Sequence, residues 1–376
     1  MSFRRRAFFA VLLLVVLIGI VEFYRSPISS SFLSQDTQVM KRRRVNYPKR
    51  RNMSKCAPLF GKVTVFIAYI GDTTPRLYEV AQRTIRCYLK STNYALLFID
   101  LDKDPRVLRS CGKHIEVYFK KHCAASLYLP ETDWMLVLDA DTGVVNPNHC
   151  IEEWIDDSVD VILYERIFNW EIMAGNYLVK NSRFGSEFLR DFANYEFRLP
   201  LDSWHGWDQG ALMMLLLEVL IPECIDDYRA CEDYWMNATD YETYMATVMC
   251  ARMALGARRI WPGKVRIYRR FGAFARDGWA THEMWCEADF MFHGWKDNSI
   301  GSWDSPFEAE VDLKVCGRGF EGWKWKEEKK SSIEEIRENI KYAEAYYRQE
   351  FPKEARVHPL IDKLSVADCY PDCEQR

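Results

Sequence analysis

Apolar and polar segments alternate along most of the chain, and the pattern predicts strands and helices in turn. Continuous apolar, β-rich runs are typical of strands buried on both faces of a sheet. Strands of this kind are predicted at residues 63–70 (VTVFIAYI), 94–100, 115–119, 134–139 (WMLVLD) and 159–164. Helical spacing of apolar residues predicts helices over 75–89 and 122–129. The alternation predicts an α/β fold with a mostly parallel sheet flanked by helices, which binds ligands beyond the carboxyl ends of its strands.

The N-terminus carries one further apolar run, from residue 7 to 21, behind three arginines. A cleaved signal peptide needs a small-residue cleavage site, and none follows this run. A signal anchor needs roughly 17 to 25 residues, which the run reaches only with the aromatic pair Phe23 and Tyr24. We favour an uncleaved transmembrane anchor at 7–24, with residues 1–6 in the cytosol by the positive-inside rule. The protein is then a single-pass type II protein of the Golgi or endoplasmic reticulum membrane.

Three segments are expected to follow the anchor: a polar lumenal stem at 25–60, a catalytic domain at 61–330 and a C-terminal region at 331–376. The basic runs of the stem are also typical of nuclear import in a soluble protein. The C-terminal region begins with an amphipathic helix at 331–349, capped by serine. We expect that helix to pack on the outside of the domain.

Charge and composition narrow the class of protein. Of 376 residues, 48% are hydrophobic and 28% charged, enough to bury a large core. The first 51 residues hold 11 of the 51 Lys and Arg residues and 2 of the 54 Asp and Glu residues. The remainder therefore carries 40 basic and 52 acidic side chains. An acidic body argues against nucleic acid as a partner.

The 12 cysteines all lie beyond the predicted anchor, and their number is even. Several disulfides are the expected use in an oxidising lumen, although the sequence does not give their pairing. Cys369 and Cys373 form a C-x-x-x-C motif, for which a disulfide is favoured over half of a metal site because no second pair accompanies it. N-glycosylation sequons at Asn52 and Asn237 agree with a lumenal body.

The sharpest chemical motif is Asp139-Ala140-Asp141, directly after the strand predicted at 134–139. Two carboxylates at a strand end are hard oxygen ligands suited to Mn²⁺ or Mg²⁺, which in turn bind a diphosphate. D-x-D is common, and the alternative is a surface pair in a turn. A second D-x-D, at Asp100 and Asp102, lacks the Asn-Pro that follows the first and is interpreted as a nucleotide-side or structural turn.

The segment around Asp139 resembles the metal site of GT-A glycosyltransferases, which share the nucleotide-diphospho-sugar transferase fold. The likeness is to the family of fungal α-galactosyltransferases and plant xyloglucan xylosyltransferases, and to a nematode-expanded group of GT-A-like relatives. Four blocks match in order between residues 63 and 296: DWMLVLDADTGVVNP (133–147), AGNYLVKNS (174–182), WDQGAL (207–212) and FHGWK (292–296).

The resemblance implies metal ligands at Asp139, Asp141 and His293, with Asp139 alternatively on the donor ribose. Lys296 is implied as a positive charge on the leaving diphosphate. Neutral imidazole is an acceptable ligand for Mn²⁺, whereas a lone histidine is more often a satisfied core residue.

The resemblance also implies a donor and catalytic pocket. Gly175 and Asn176 are expected beside the donor sugar, or else mark an ordinary strand entry with glycine at a bend. Asp208 and Gln209 are expected as catalytic residues, although an acidic first helical turn also complements the helix dipole. The nucleotide base is expected at the end of the first strand. The residues implied there are Ala68 and Tyr69.

The function implied is metal-dependent transfer of a hexose or pentose from a UDP- or GDP-sugar to a hydroxyl of a glycan or glycoprotein. Transfer retains the anomeric configuration if the resembling family is followed. The main alternative is a catalytically inactive lumenal relative that binds carbohydrate or protein. A lumenal phosphodiesterase would need a denser Asp and His cluster for two metals.

Overall fold

The computed structural model describes residues 56–71, 74–317, 320–353 and 366–375, which lie within one unit, 50–376. The predicted cytosolic tail, the anchor and the stem up to residue 55 lie outside the described residues. Within those ranges, no helix combines the length and apolarity needed to cross a membrane.

A seven-stranded sheet, in the order β2-β1-β3-β6-β5-β8-β7, forms the centre of the described structure, and a small three-stranded sheet, β4-β10-β9, lies beside it. The strands are β1 Val63–Tyr69, β2 Ala95–Asp100, β3 Trp134–Leu138, β4 Gly143–Val144, β5 Val161–Tyr164, β6 Tyr177–Lys180, β7 Ile260–Trp261, β8 Val265–Tyr268, β9 Ala275–Asp277 and β10 Met291–His293. Four of the five predicted strands are therefore confirmed, with ends shifted by one or two residues.

The expectation of a mostly parallel sheet needs correction. β1 runs parallel to β2 and β3, and β5 to β8, but β6 is antiparallel to both of its neighbours and β7 is antiparallel to β8. Parallel neighbours need a long crossover, usually a helix, between them. No α-helix separates β5 from β6, and residues 262–264 alone join β7 to β8, so these connections reverse the chain.

The helices cover both faces of the sheet. They are α1 Thr74–Leu77, α2 Glu79–Leu89, α3 Pro105–Ser110, α4 Val117–Tyr128, α5 Arg183–Asn194, α6 Trp207–Leu220, α7 Ile225–Asn237, α8 Tyr241–Leu255 and α9 Ile333–Glu350. Successive residues of β3 point to opposite faces, so Leu136 joins the cluster around α2, and Val137 joins the cluster around α4 to α8. Burial on both faces explains why these strands read as continuous apolar runs.

The prediction of a strand at 115–119 is wrong, because α4 begins at Val117 and continues to Tyr128. The local sequence IEVYF favours a strand, but the helix buries Phe119, Ala124 and Ala125 against the core. Tertiary packing thus overrides local propensity here. The correction matters because it places Val117, Tyr118 and Lys121 on one face of a helix.

Disulfides are present in the described structure, as expected. The pairs are Cys56–Cys150, Cys87–Cys316, Cys111–Cys123, Cys231–Cys250 and Cys369–Cys373. The C-x-x-x-C motif is thus a disulfide, and Cys224 and Cys286 are free thiols. The predicted C-terminal helix is also confirmed: the Ser332 hydroxyl caps α9 by accepting a hydrogen bond from the Glu335 N–H.

A buried ion pair makes the stability of the fold decrease as the pH falls into the acidic range. Glu165, which follows β5, contacts the guanidinium of Arg252 and, at 2.8 Å, that of Arg259. Burial alone raises the pKa of Glu165, but these arginines outweigh it and lower the pKa from 4.5 to about 2. The stabilisation is therefore complete above about pH 4.5, and about 3 kcal/mol is lost as the pH falls toward 2.

Glu165→Gln is expected to flatten this acid dependence, since glutamine does not titrate. The free energy of unfolding in urea, measured at about pH 5 and about pH 3, checks the prediction. Glu187→Gln is the matched control, because the Arg183–Glu187 pair is exposed and such pairs contribute little. An equal acid loss in Glu165→Gln and the unsubstituted protein would contradict the prediction.

Candidate functional site

A cavity of about 440 Å³ lies where several strands of the central sheet end. Nine of the ten residues singled out from the sequence line it, namely Ala68, Tyr69, Asp139, Asp141, Gly175, Asp208, Gln209, His293 and Lys296. Residues 68 and 69 end β1, residue 139 follows β3, and residue 175 precedes the antiparallel β6. All of these positions meet at one edge of the sheet, where open α/β sheets bind ligands.

The D-x-D segment is a tight turn that neighbouring side chains hold in place. The Thr142 N–H donates to the Asp139 carbonyl at 3.0 Å. The Gln82 amide, from α2, donates to the Ala140 carbonyl at 2.6 Å. On the other side, the Asn176 carbonyl oxygen accepts from the Asp139 N–H at 2.8 Å and from the Thr142 hydroxyl at 3.1 Å. The turn therefore fixes where both aspartate side chains point.

Asn176 is fully buried and does not line the cavity. Its amide nitrogen donates to the Tyr164 hydroxyl at 3.1 Å, which uses the remaining polar end of the side chain. The expected contact between this amide and a donor sugar is thus not supported by its position. The structure places Asn176 beneath the aspartate turn, as a positioning residue.

The small sheet brings His293 to the same turn. β10 pairs antiparallel with β4, which directly follows the D-x-D segment, and parallel with β9, so that His293 lies opposite Asp277. The Trp295 N–H also donates to the Asp141 carbonyl at 2.9 Å. Residues about 150 positions apart in sequence therefore meet because β4 and β10 are hydrogen-bonded.

Asp139, Asp141 and His293 form a group that fits a divalent metal. His293 Nε2 lies 3.7 Å from Asp139 Oδ2 and 3.5 Å from Asp141 Oδ1. Ligand atoms of the three residues lie within 4.8 Å of one another. Ligands bound to one ion at about 2.1 Å are separated by about 3 to 4 Å, close to this spacing. Two carboxylates and one imidazole are a donor set suited to Mn²⁺ or Mg²⁺.

The orientation of His293 also fits this use. Its Nδ1 lies 2.8 Å from Asp277 Oδ1, and Arg166 lies 3.1 Å from the same carboxylate. A carboxylate that holds one ring nitrogen leaves the other free to bind a metal. Burial alone lowers the pKa of His293, but the Asp141 charge and the bond to Asp277 outweigh it and raise the pKa above its ordinary value.

Lys121 lines the cavity, contacts the Asp139 oxygen that does not face His293, and was missed in the sequence. Its buried ammonium lies 2.8 Å from Asp139 Oδ1 and 3.9 Å from Asp208 Oδ2. Burial raises the pKa of Asp139, but the Lys121 and His293 charges outweigh it and lower the pKa to about 2. One lysine therefore bridges the predicted metal ligand and the predicted catalytic aspartate.

Asp208 and Gln209 open α6 as predicted, and their side chains have different surroundings. The buried Asp208 carboxylate lies 3.4 Å from His122 Nε2, whose other ring nitrogen lies 2.8 Å from the Tyr177 hydroxyl. Burial lowers the pKa of His122 to about 4, which favours a neutral ring. The Gln209 side chain accepts from the Ala174 N–H at 2.6 Å and donates to the Ile172 carbonyl at 3.1 Å.

Gly175 is required for the close approach of two segments. A Cβ atom at this position would lie 1.7 Å from Asp139 Oδ2 and 2.4 Å from its Cγ. Any side chain there would occupy the volume of the Asp139 carboxylate. Its position beside a predicted metal ligand, not a turn conformation, explains the glycine.

The remaining predicted residues that line the cavity are Ala68, Tyr69 and Lys296. Tyr69 stacks on Phe98 at a centroid distance of 4.5 Å. Lys296 is largely exposed, and its ammonium lies 3.9 Å from Asp141 Oδ2.

Lys121, Arg166 and Asp277 were not predicted from the sequence. Lys121 lay between the strand predicted at 115–119 and the helix predicted at 122–129, and in the observed helix it shares a face with Tyr118, which also lines the cavity. Arg166 and Asp277 lie at strand ends, but no recognised motif includes them. Only the pairing of β9 with β10 brings Asp277 to His293.

Three crystal structures of glycosyltransferases resemble this chain at low similarity. A glycosyltransferase involved in glycosylation of the major capsid of PBCV-1 is 14% identical, with a TM-score of 0.38, over 62% of this chain and 93% of the other. GlyE of Streptococcus pneumoniae TIGR4 is 19% identical, with a TM-score of 0.30, over 41% and 43% of the two chains. Its apo form is 20% identical, with a TM-score of 0.29 over the same shares. Similarity of this size establishes no activity.

The family to which this chain belongs is identified from its sequence. A comparison with curated proteins gives no match. The family model described as "Protein of unknown function, DUF273" matches residues 85–305, more than half of the chain and all of the cavity lining except its β1 end and Tyr78. The chain therefore belongs to the DUF273 family.

Proposed function

We propose that this protein is a metal-dependent glycosyltransferase that moves a hexose or pentose from a nucleotide-sugar donor to a hydroxyl of a glycan or glycoprotein. Mn²⁺ or Mg²⁺ is the proposed cofactor, and a UDP- or GDP-sugar the donor. The membrane anchor, a Golgi or endoplasmic reticulum location and a lumenal site belong to the same proposal. The disulfides of the body agree with an oxidising lumen.

The observation that carries the proposal is the convergence of Asp139, Asp141 and His293 in one cavity. The three residues come from a strand end, a turn and a second sheet, so a chance surface pair of aspartates does not explain them. The cavity volume is within the range of small-molecule sites. The residues expected near the base, Ala68 and Tyr69, line the same cavity.

The charges in the cavity suit a diphosphate leaving group. A bound divalent ion would supply Lewis-acid stabilisation of the charge that develops on the diphosphate. Lys296 stands beside Asp141 with an exposed ammonium, in reach of a ligand that enters from solvent. Arg166 lines the same cavity and is held by Asp277. Preorganised cations of this kind stabilise charge most strongly where water is excluded.

Asp208 is the proposed catalytic carboxylate, because it is buried, lines the cavity and is held by Lys121 and His122. Gln209 is proposed to shape the pocket through the backbone of residues 172–174, and it lines the cavity itself. Retention of the anomeric configuration is proposed from the resemblance to the α-galactosyltransferase and xylosyltransferase family. Gly175 then allows the donor-side backbone to lie against Asp139.

Calorimetric titration of the full-length protein with UDP, and separately with GDP, tests the proposal. Binding is expected for one nucleotide in the presence of Mn²⁺ and to be lost when the metal is chelated. A panel of sugars on the nucleotide that binds then identifies the donor by release of the nucleoside diphosphate. Folded protein that binds neither nucleotide with Mn²⁺ would overturn the proposal and favour a non-catalytic binding protein.

A further inference from the structure

Four large aromatic side chains, which form two contacting ring pairs, are exposed, and we call them the aromatic rim. Their exposed fractions are 44% for Tyr118, 41% for Trp204, 42% for Trp207 and 37% for Tyr241. Tyr118 lies in α4, Trp204 in the loop before α6, Trp207 at the first position of α6 and Tyr241 at the first position of α8. Exposed aromatic rings that cluster on one surface are typical of binding sites, whereas single exposed ones need no explanation.

One pair of the rim adjoins the cavity. Tyr118 lines the cavity itself, and its ring lies 5.9 Å from that of Trp207, at an interplanar angle of 33°. Trp207 immediately precedes Asp208, the proposed catalytic carboxylate. Trp204 comes three residues before Trp207, and its ring lies 5.6 Å from that of Tyr241. A ligand on the Tyr118–Trp207 pair would therefore reach the mouth of the proposed active site.

The segment that carries the two tryptophans, residues 204–207, is held by hydrogen bonds and close packing. The Trp204 N–H donates to the Ala238 carbonyl at 2.7 Å, and the Trp235 indole donates to the His205 carbonyl at 2.8 Å. A Cβ atom on Gly206 would lie 2.5 Å from the ring of Tyr244. The loop therefore packs closely on the helices beneath it, where a disulfide joins α7 to α8.

The backbone of this loop is also strained. Gly206 and Trp207 both have positive φ, at 68° and 52°. For a bulky residue such as tryptophan this conformation costs about 1 to 3 kcal/mol and persists only where the surroundings impose it. The backbone conformation of Trp207 therefore lowers the stability of the fold, although the ring it positions remains partly exposed to solvent. Residues strained in this way cluster at binding and catalytic sites.

We propose that the aromatic rim binds the carbohydrate acceptor, with pyranose rings stacked on Trp207 and Tyr118 and the chain extending toward Trp204 and Tyr241. This inference rests on the proposed function and assigns its acceptor side. The four rings carry no charge, while the cations Lys121, Arg166 and Lys296 lie in the cavity. The cavity therefore suits the charged donor, and the rim suits a neutral ligand with flat apolar faces, which the C–H faces of sugar rings provide.

A glycan array probed with the full-length protein tests the inference. Trp207→Gly removes the ring and leaves a residue that adopts positive φ without strain, so the fold is expected to survive. Trp207→Phe retains a ring. We expect bound glycans to be lost or weakened about 10-fold in Trp207→Gly and largely retained in Trp207→Phe. Tyr342→Ala, on the exposed face of α9, is the matched control and is expected to bind as the unsubstituted protein does.

Nucleotide binding in Mn²⁺ is measured on the same variants and separates the two proposals. Trp207→Gly with unchanged nucleotide binding and lost glycan binding supports the acceptor site. Unchanged glycan binding in Trp207→Gly, or folded protein that binds nucleotide but no glycan, overturns the acceptor site alone. Glycan binding that needs Trp207 in a protein that binds no nucleotide supports carbohydrate recognition by the rim and overturns the transferase. Binding to non-glycosylated protein, together with no binding to glycans, overturns the inference.

Discussion

Asp141→Asn is expected to abolish metal-dependent nucleotide binding and sugar transfer, with a loss of at least about 100-fold in each. Asparagine has the same shape but lacks the negative charge with which Asp141 would attract and hold a divalent ion. Substitutions of groups that only support a ligand already cost 10- to 100-fold, so loss of a ligand is expected to cost at least as much. Calorimetric titration of Mn²⁺ with the bound nucleotide, and the rate of nucleoside diphosphate release, measure the two losses.

The chain itself supplies a matched control for this substitution. Asp102 ends the second D-x-D, and its side chain is 53% exposed and lies 3.3 Å from Lys120. Asp102→Asn removes the same charge from the same motif outside the metal group and is expected to leave metal binding unchanged. The Asp141 backbone carbonyl, not its side chain, accepts from Trp295, so the asparagine variant keeps that bond. Equal metal affinity in Asp141→Asn and the unsubstituted protein would contradict the proposed metal site.

Gly175→Ala is expected to weaken metal binding as much as the loss of a residue that supports a metal ligand, although the substitution removes no functional group. The added methyl would lie 1.7 Å from Asp139 Oδ2, so the carboxylate must leave its position. Asp139 then loses its ion pair with Lys121 at 2.8 Å and its place beside His293. We expect Mn²⁺ affinity to fall about 10- to 100-fold and stability to fall by about 1 to 3 kcal/mol.

Metal titration and thermal unfolding of Gly175→Ala check this prediction, with Gly272→Ala as the control. A Cβ atom at Gly272 would approach no atom outside its chain neighbours more closely than 3.2 Å, and Gly272 does not line the cavity. Unchanged Mn²⁺ affinity in Gly175→Ala would show that Asp139 does not ligate the metal. A stability loss without an affinity loss would assign Gly175 to packing alone.

The difference between the predicted and observed elements has a consistent physical cause. Strands buried on both faces, such as β1 and β3, are recognisable from the sequence because nearly every position is apolar. α4 is not, because its burial depends on partners from distant segments, and its sequence places Lys120, Lys121 and His122 side by side between apolar residues. The direction of β6 was likewise undetermined, since a strand's own residues do not specify whether its neighbours run parallel.

Within the site, the sequence likewise predicts a local motif but not the contacts between distant segments. Asp139 and Asp141 were predictable because a strand end and a turn place them together over three residues. His293 was implied only by a resemblance of short blocks, and its pairing with Asp277 had no signal. Asn176 was expected beside the donor sugar, but its side chain bonds to the aspartate turn and to Tyr164 and does not line the cavity.

By itself, the sequence determined the buried strands, the helix at the C-terminus, the acidic body, the D-x-D turn and the edge of the sheet that holds the site. These follow from local patterns, in which each residue's neighbours along the chain define its surroundings. Tertiary structure alone decided which cations face Asp139, which carboxylate orients His293 and how the cysteines other than Cys369 and Cys373 pair. Those contacts join residues from 12 to 229 positions apart, and their energies depend on burial and distance, which exist only once the sheet and its helices have come together.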